Sequence, residues 1–391
     1  MNSTDSMITG GGSDDKAQGW IIGDIENSDL IRSIYGIIAA IGITGNFLVC
    51  WVLLRVPSLR SNTSDFLVHL AAVDLIVCLW TVPFHLFPHV PEHDPGFWGE
   101  LKCRLYSSKA PLWTFALISI CSLVTVNLER YIAIVYPIKY KNIYNRRNTI
   151  LMIAACWVVG IISNSYFWYA FGVTSSGACG IIGWPSKGFQ VLLGLYNFVS
   201  YYLAPFTFMV LTQWKVIKTL KRQARILKEK RKRANGHSVH ASRTNTESRK
   251  MWQVHAAQEL SKTLLLVTIL YTVCWTPNQL LFLVFNCGPN DVVDFQSVYY
   301  HITVVLSVAN SCLNPIIYTI QNRPFRRGIQ KVFGCYRVHP TQTEGQGLGT
   351  SEGLGSDNLV LGHGAGVITV ESTCTNNDNQ QVDCQGVEVK P

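Results

Sequence analysis

Apolar residues in this chain come in long unbroken runs, without the alternation of a strand or the spaced stripe of a surface helix. Seven runs stand out, at 33–54, 66–87, 111–128, 148–171, 188–214, 263–286 and 295–322. Each reaches the roughly 18 apolar residues at which a segment becomes a candidate for crossing the bilayer hydrocarbon as a helix. Across all seven, the only Asp, Glu, Lys or Arg is Asp74. In lipid, backbone groups must bond inside the protein, which leaves helices or closed barrels, and no run carries the period-two pattern of a barrel strand. The pattern predicts an all-α membrane protein whose seven-transmembrane helix bundle occupies 32–322. A polar loop at about 215–262 separates the fifth and sixth spans. An amphipathic helix at 323–336 follows the bundle, with Phe325, Ile329, Val332 and Phe333 on one face and Arg323, Arg326, Arg327 and Lys331 on the other. Such a helix lies on membrane lipid.

Composition agrees. The chain has 391 residues, 48% hydrophobic and 15% charged, and its mean hydropathy is +0.19. Soluble proteins carry about a quarter charged residues, so a water-soluble single domain is excluded. The net charge of +9 would fit nucleic acid, but its placement gives a different reason. Of the 33 basic residues, 26 fall in the alternate connections and the stretch after the last span, all on one side of the bundle. Basic loops stay in the cytosol, which puts the N-terminus outside and the C-terminus inside and leaves nucleic acid no role.

Segment 1–31 is then an extracellular tail. It is rich in acids and Gly, shows no apolar core fit for a cleaved signal peptide, and carries a glycosylation acceptor at Asn2. A second acceptor triplet at Asn62 falls on the cytoplasmic side and is expected to stay unmodified. Residues 337–391, rich in Gly, Ser, Thr, Asn and Gln, read as a disordered cytoplasmic tail. No internal repeat appears, which counts against transporters built from doubled halves.

A carboxylate near mid-bilayer needs partners. Asp74 has polar candidates on other spans: Asn46, Ser119, Asn310, Ser311 and Asn314. Their oxygens could hold a sodium ion, or a proton with waters; equally, they could form a structural network that packs helices. Pro205, Pro277 and Pro315 lie deep within spans, where each removes a helix hydrogen bond and sets a kink or hinge. Trp275 sits just before Pro277, where its rotation would be felt by a kinked helix.

These residues belong to an ordered set: Gly45-Asn46, Leu70-Ala71-Ala72-Val73-Asp74, Glu129-Arg130-Tyr131, Trp157, Pro205, Cys274-Trp275-Thr276-Pro277 and Asn314-Pro315-Ile316-Ile317-Tyr318. One signature per span, in order, resembles the rhodopsin-like (class A) G-protein-coupled receptors over about 31–335. The resemblance implies a plasma-membrane receptor in which an extracellular agonist makes the sixth helix swing outward at its inner end. Arg130 then releases Glu129, Tyr318 turns inward, and a heterotrimeric G protein fills the opened cavity. It also implies a disulfide between Cys103 and Cys179, both on the oxidising side. The juxtamembrane Cys335, following the amphipathic stretch, is a candidate for palmitoylation, and no cofactor is expected apart from the candidate sodium ion at Asp74. Hydroxyls at Ser238, Ser242, Thr244, Thr246 and Ser248 would serve receptor kinases and arrestin; a solvated spacer that is rarely modified is the alternative.

The chain also departs from the family. Cys103 stands 27 positions before Arg130, further than is usual, so the outer register of the third helix is open. His69 replaces an Asn, Gln213 a Tyr, and Ala257 an acid on the sixth helix that often pairs with the third-helix Arg; Glu259 is near. Raised basal activity is the expectation. His85, His89 and His93 recur every four residues as zinc ligands on a helix would, but Pro83, Pro88, Pro91 and Pro95 spoil the register, and the Trp98-Gly99 turn points to packing instead.

Ligand class follows from what is missing and what remains. No Lys lies within 295–322 for a retinal Schiff base, and no Asp lies between Cys103 and Glu129 for an amine; Leu112 holds that position. The expected cavity residues are His85, Trp113, Asn197, Asn278, Gln279, Phe282 and Tyr300. Buried amides favour a ligand rich in peptide-like donors and acceptors, a neuropeptide or peptide hormone, with a lipid or other non-amine small molecule as the alternative. Acidic outer loops (Glu92, Asp94, Glu100, Asp291, Asp294) would attract a basic ligand or simply be solvated. The few span His residues with Asp74 form no spaced hydrolase motif, so no enzyme is expected. Epitope tags at the two termini should appear on opposite faces of intact cells; tags on the same face would refute the span count.

Overall fold

The computed structural model describes residues 28–87, 96–174, 177, 179–234, 241–289, 293 and 297–334. Seven helices in it are long and apolar enough to cross a membrane. The α-helices among the described residues are α1 (Asp29–Arg55), α2 (Asn62–His85), α3 (Phe97–Lys102), α4 (Ala110–Val135), α5 (Pro137–Ile143), α6 (Arg146–Ser163), α7 (Tyr166–Ala170), α8 (Lys187–Phe198), α9 (Ala204–Ala234), α10 (Ala241–Cys287), α11 (Val298–Gln321) and α12 (Arg323–Val332). Among the described residues the only sheet is a hairpin of β1 (Phe171–Val173) and β2 (Cys179–Ile181).

Helices outrun the apolar runs because polar caps, not hydropathy, decide where they start. Ser28 accepts from the Ile31 amide ahead of α1, and Ser61 with Ser64 forms a capping box ahead of α2. The largest difference lies in the third inner connection. Much of the loop expected at 215–262 is helix: α9 runs on to Ala234 and α10 begins at Ala241. Lys, Arg, Ala, Leu and Gln are good helix formers, so the basic charge is carried on helical extensions of the spans.

The long spacing before Arg130 has a local cause. A π-helical turn, Cys103–Ser107, follows α3, and Lys109 then takes a left-handed conformation (φ 57°) before α4 restarts at Ala110-Pro111. This wide turn and break take up chain without lengthening the regular helix. They leave Cys103 fully buried and joined to Cys179 by a disulfide, which fastens the hairpin to the head of α4. Glu100 adds to the anchor through Arg104, which also donates to the Trp168 carbonyl.

α4 is the central post and packs on α2, α6 and α9, while α11 closes the ring against α1 and α10. Outward faces are apolar, as lipid requires: Ile162 is 67% and Leu192 68% exposed. Trp98 is 76% exposed and lies edge-on to Phe97, while its neighbour Gly99 is buried. α12 is capped by Asn322, whose side chain accepts from the Phe325 amide, and it buries Phe325. Gly328 of α12 fits against Leu59 and Val52. His89, His93, the acids Glu92, Asp94, Asp291 and Asp294, the acceptor Asn2, Cys335 and the C-terminal tail lie outside the described residues.

Close approach of α1 to α2 and α11 depends on Gly42, where a Cβ would overlap the Cys78 sulfur and stand 3.2 Å from Cys312. Gly42→Leu should destabilise the purified protein by about 1–3 kcal/mol through overpacking. Gly36→Leu, where a Cβ meets only Leu86 at 3.8 Å, should leave the melting temperature unchanged. Equal melting of the two variants would contradict this packing.

Candidate functional site

A cavity of about 650 Å³ lies at the outer end of the bundle beneath the hairpin. Its walls include Trp113 from α4, Asn197 from α8, Asn278, Gln279 and Phe282 from α10 and Tyr300 from α11, six of the seven residues expected from the sequence. His85 is not among them. Its ring lies flat on Tyr35 of α1, centroids 3.9 Å apart and 13° between planes, because the end of α2 faces α1. Residues missed by the sequence reading also line the space, among them Gln190, Tyr201, Trp184 and His301. Gln190, Asn197 and Tyr201 are spaced seven and four apart, so one helix face would have shown them.

The described lining holds no Asp or Glu, and Lys109 at the rim is its one Lys or Arg. Asn197 and Gln279 are 3% and 6% exposed. The Asn197 side chain pairs with the Tyr166 hydroxyl, while the Gln279 carbonyl oxygen makes no hydrogen bond of ordinary geometry. A buried amide oxygen in that condition is costly unless something occupies the cavity and pairs with it.

The floor is aromatic. Trp275 is 2% exposed, and its ring centroid lies 6.4 Å from Trp113, 6.3 Å from Tyr201 and 6.4 Å from Tyr271. Tyr201 belongs to a second π-helical turn, Val199–Leu203, and its hydroxyl donates to Asn164 at 2.5 Å. Pro205 has no N–H for the Tyr201 carbonyl four residues earlier. The Tyr271 hydroxyl of α10 donates to that carbonyl, so the residue below the cavity ties α10 to the proline break before α9.

Further in, Asp74 is fully buried and accepts from Ser119 (2.6 Å) and Asn314 (2.8 Å). Asn46 donates to the carbonyls of Gly42 and Ser311, both at 2.9 Å, while its own amide oxygen is buried without a partner. Ser311 and Asn310 are buried on the same helix as Asn314. The chemistry of this donor set, one carboxylate with hydroxyl and amide oxygens and no Cys or His, fits a hard monovalent cation. Among the described residues no group of three or more His, Cys, Asp or Glu side chains is placed to hold a metal ion.

At the inner end the buried Glu129 carboxylate accepts from Arg130 Nε (2.6 Å) and Nη2 (3.0 Å), Thr63 (3.0 Å) and the Tyr140 hydroxyl (2.7 Å). The Tyr140 phenol is pushed up to about 12, first by burial and then by the Glu129 carboxylate. A raised value means the protonated phenol is favoured by the fold; that contribution is whole below the unfolded value of about 10 and is lost as pH rises through about 12. Tyr140 is thus a donor throughout the neutral range. Tyr131 lies edge-on to Tyr136 with the Lys215 ammonium 5.8 Å from its ring. Tyr318, three residues beyond Pro315, is buried against Phe325 of α12. A second cavity of about 400 Å³ opens among α4, α9 and α10, with Ala133, Ile226 and Ala257 on its walls.

Outer cavity, aromatic floor, buried acid and paired inner arginine thus lie one below another in a single bundle. The sequence profile of the 7 transmembrane receptor (rhodopsin family) matches residues 45–318. The chain is 27% identical over 328 residues to galanin receptor 2a of Danio rerio, covering 81% of this chain and 84% of that protein. It is 26% identical over 330 residues to the allatostatin-A receptor of Bombyx mori, covering 80% and 84%. Against neuromedin-U receptor 2 of Rattus norvegicus it is 26% identical over 322 residues, covering 78% and 76%. The chain belongs to the rhodopsin family of seven-transmembrane, G-protein-coupled receptors, which are not enzymes.

Proposed function

We propose that this receptor binds a peptide at its outer face and passes the event inward to a heterotrimeric G protein. One observation carries the ligand class: the outer cavity combines aromatic walls with buried amides, the Gln279 carbonyl oxygen among them without a partner, and with no described carboxylate. Amide groups pair with peptide groups without requiring a charge. An amine would meet no counter-ion among the described lining residues, which include no Asp or Glu; Leu112 is 1% exposed and lies outside that lining. The relatives named above are receptors for galanin, allatostatin-A and neuromedin-U, which supports the same class. A lipid or other small molecule is the competing occupant.

In the proposed sequence, agonist presses on Trp113 and Tyr201, Trp275 shifts, and α10 bends at Pro277. Asn314, Pro315 and Tyr318 give on α11, Arg130 leaves Glu129, and Tyr131 helps frame the opened inner face. A sodium ion held by Asp74 with Ser119, Ser311 and the nearby amides, Asn310 among them, would favour the closed arrangement by neutralising the buried charge. The basic inner segments support an N-terminus outside and a C-terminus in the cytosol, and the plasma membrane is the proposed location. Glycosylation at Asn2, palmitoylation of Cys335 beside membrane lipid, and phosphorylation by receptor kinases with arrestin recruitment complete the proposal.

Purified receptor in lipid nanodiscs, offered a peptide library that includes galanin, allatostatin-A and neuromedin-U, should catalyse nucleotide exchange on a G protein with at least one peptide. Asn197→Ala or Gln279→Ala should weaken that peptide about tenfold, as expected for loss of a buried hydrogen bond. Response to lipids or small molecules alone would overturn the peptide assignment. Separately, Asp74→Asn should make agonist affinity indifferent to replacing sodium with choline; a persisting sodium effect would remove the ion from this site.

A further inference from the structure

The inner half of α10 is not held to α4 by charge. Arg130 pairs with its own neighbour Glu129, and Glu259 pairs with Lys262 on the same helix at 3.0 Å, both well exposed. Ala257 offers no acid. Among the described residues no ion pair joins α4 to α10. A different connection crosses the same gap. Asn127 of α4, Gln213 of α9 and Ser261 of α10 are 0%, 2% and 4% exposed and form a single chain. Asn127 Nδ2 donates to the Leu123 carbonyl at 2.8 Å, which turns its Oδ1 toward α9. Gln213 Nε2 donates to that oxygen at 2.6 Å, and the Ser261 hydroxyl donates to Gln213 Oε1 at 3.3 Å. Each bond fixes the direction of the next, so the three neutral side chains read as one directed link from α4 through α9 to α10.

We infer that Gln213 is the positioning residue of a neutral latch that holds α10 closed through Ser261, in place of an ion pair from Arg130. The inference rests on the proposed opening of the inner face for a G protein. Ser261 precedes Pro277 by 16 positions, a lever of roughly 24 Å along the helix. A bend of about 10° at the proline therefore carries Ser261 about 4 Å, well past hydrogen-bonding range. Opening must break this bond, while the tighter Gln213–Asn127 bond stays with the α4–α9 pair. Because no charge is involved, the latch should hold at high salt, where an exposed ion pair weakens.

The test reads agonist-free nucleotide exchange on a G protein by the full-length receptor in nanodiscs, at matched receptor amounts. Ser261→Ala and Gln213→Leu should each raise basal exchange about three- to tenfold, the population shift expected from losing one net hydrogen bond. Ser261→Thr, which keeps the hydroxyl, should match the wild type. The double variant Ser261→Ala/Gln213→Leu should exceed Gln213→Leu by little, because the bond is shared. Wild-type basal exchange should be unchanged by salt. Should Gln213→Leu fail to fold, the two Ser261 variants decide the matter alone. Hydrogen exchange of the inner part of α10, read without any G protein, separates the two ideas. Faster exchange in Ser261→Ala supports the latch even where no G protein responds, a result that would sink the coupling proposal instead. Unchanged protection in Ser261→Ala, or basal exchange equal to wild type in a coupling-competent receptor, overturns the latch.

Discussion

A charged or polar group inside a lipid-embedded bundle has no water to fall back on, so it must find its partner within the protein, on its own helix or on another. That constraint organises this molecule. Asp74 is the sharpest case: its two oxygens are taken by Ser119 and Asn314, so a single carboxylate joins α2, α4 and α11. The same demand produces the Trp157–His69–Ser122 chain, in which the indole donates to His69 at 2.9 Å and the other ring nitrogen meets the Ser122 hydroxyl at 3.0 Å. It also produces the Tyr271 contact with a carbonyl that Pro205 leaves without its helical donor.

Such bonds differ from apolar packing in being all-or-none. A side chain sliding over lipid-like neighbours loses little at a time, whereas a buried hydrogen bond breaks within an ångström. Helices joined by few, well-defined polar contacts are therefore suited to holding two discrete arrangements. The prolines at 277 and 315 supply the places to bend, and the polar contacts supply the thresholds. Ligand groups that pair with the amides around the outer cavity have a short path to this machinery, since Tyr201 lines the cavity and also receives the Tyr271 bond.

Much of this was legible in the sequence. The seven spans follow from hydropathy, a property of each segment by itself, and the six cavity residues stand out as aromatic and amide side chains in the outer halves of apolar spans. The Cys103–Cys179 bond followed from family resemblance. What the sequence hid was set by contacts between segments. His85 has the right polarity for a binding residue, yet Tyr35, fifty positions away, claims its ring. The π-helical turn and left-handed Lys109 could only be sensed as an odd spacing before Arg130. The helical extensions of α9 and α10 were masked because their basic residues suit a loop and a helix equally well. Gln213 and Ala257 looked like losses of family contacts, and only the folded geometry reveals Asn127 and Ser261 meeting Gln213 instead.

The central claim is that the bundle relays an outside event by swinging the inner end of α10 about Pro277. Spin labels at Ala133 on α4 and Val254 on α10, both on the walls of the inner cavity, measure that motion directly by pulsed dipolar spectroscopy. With nucleotide-free G protein bound, the account requires the distance distribution to shift outward by several ångströms relative to receptor alone. A distribution that stays where it was, with G protein demonstrably bound, would contradict the account.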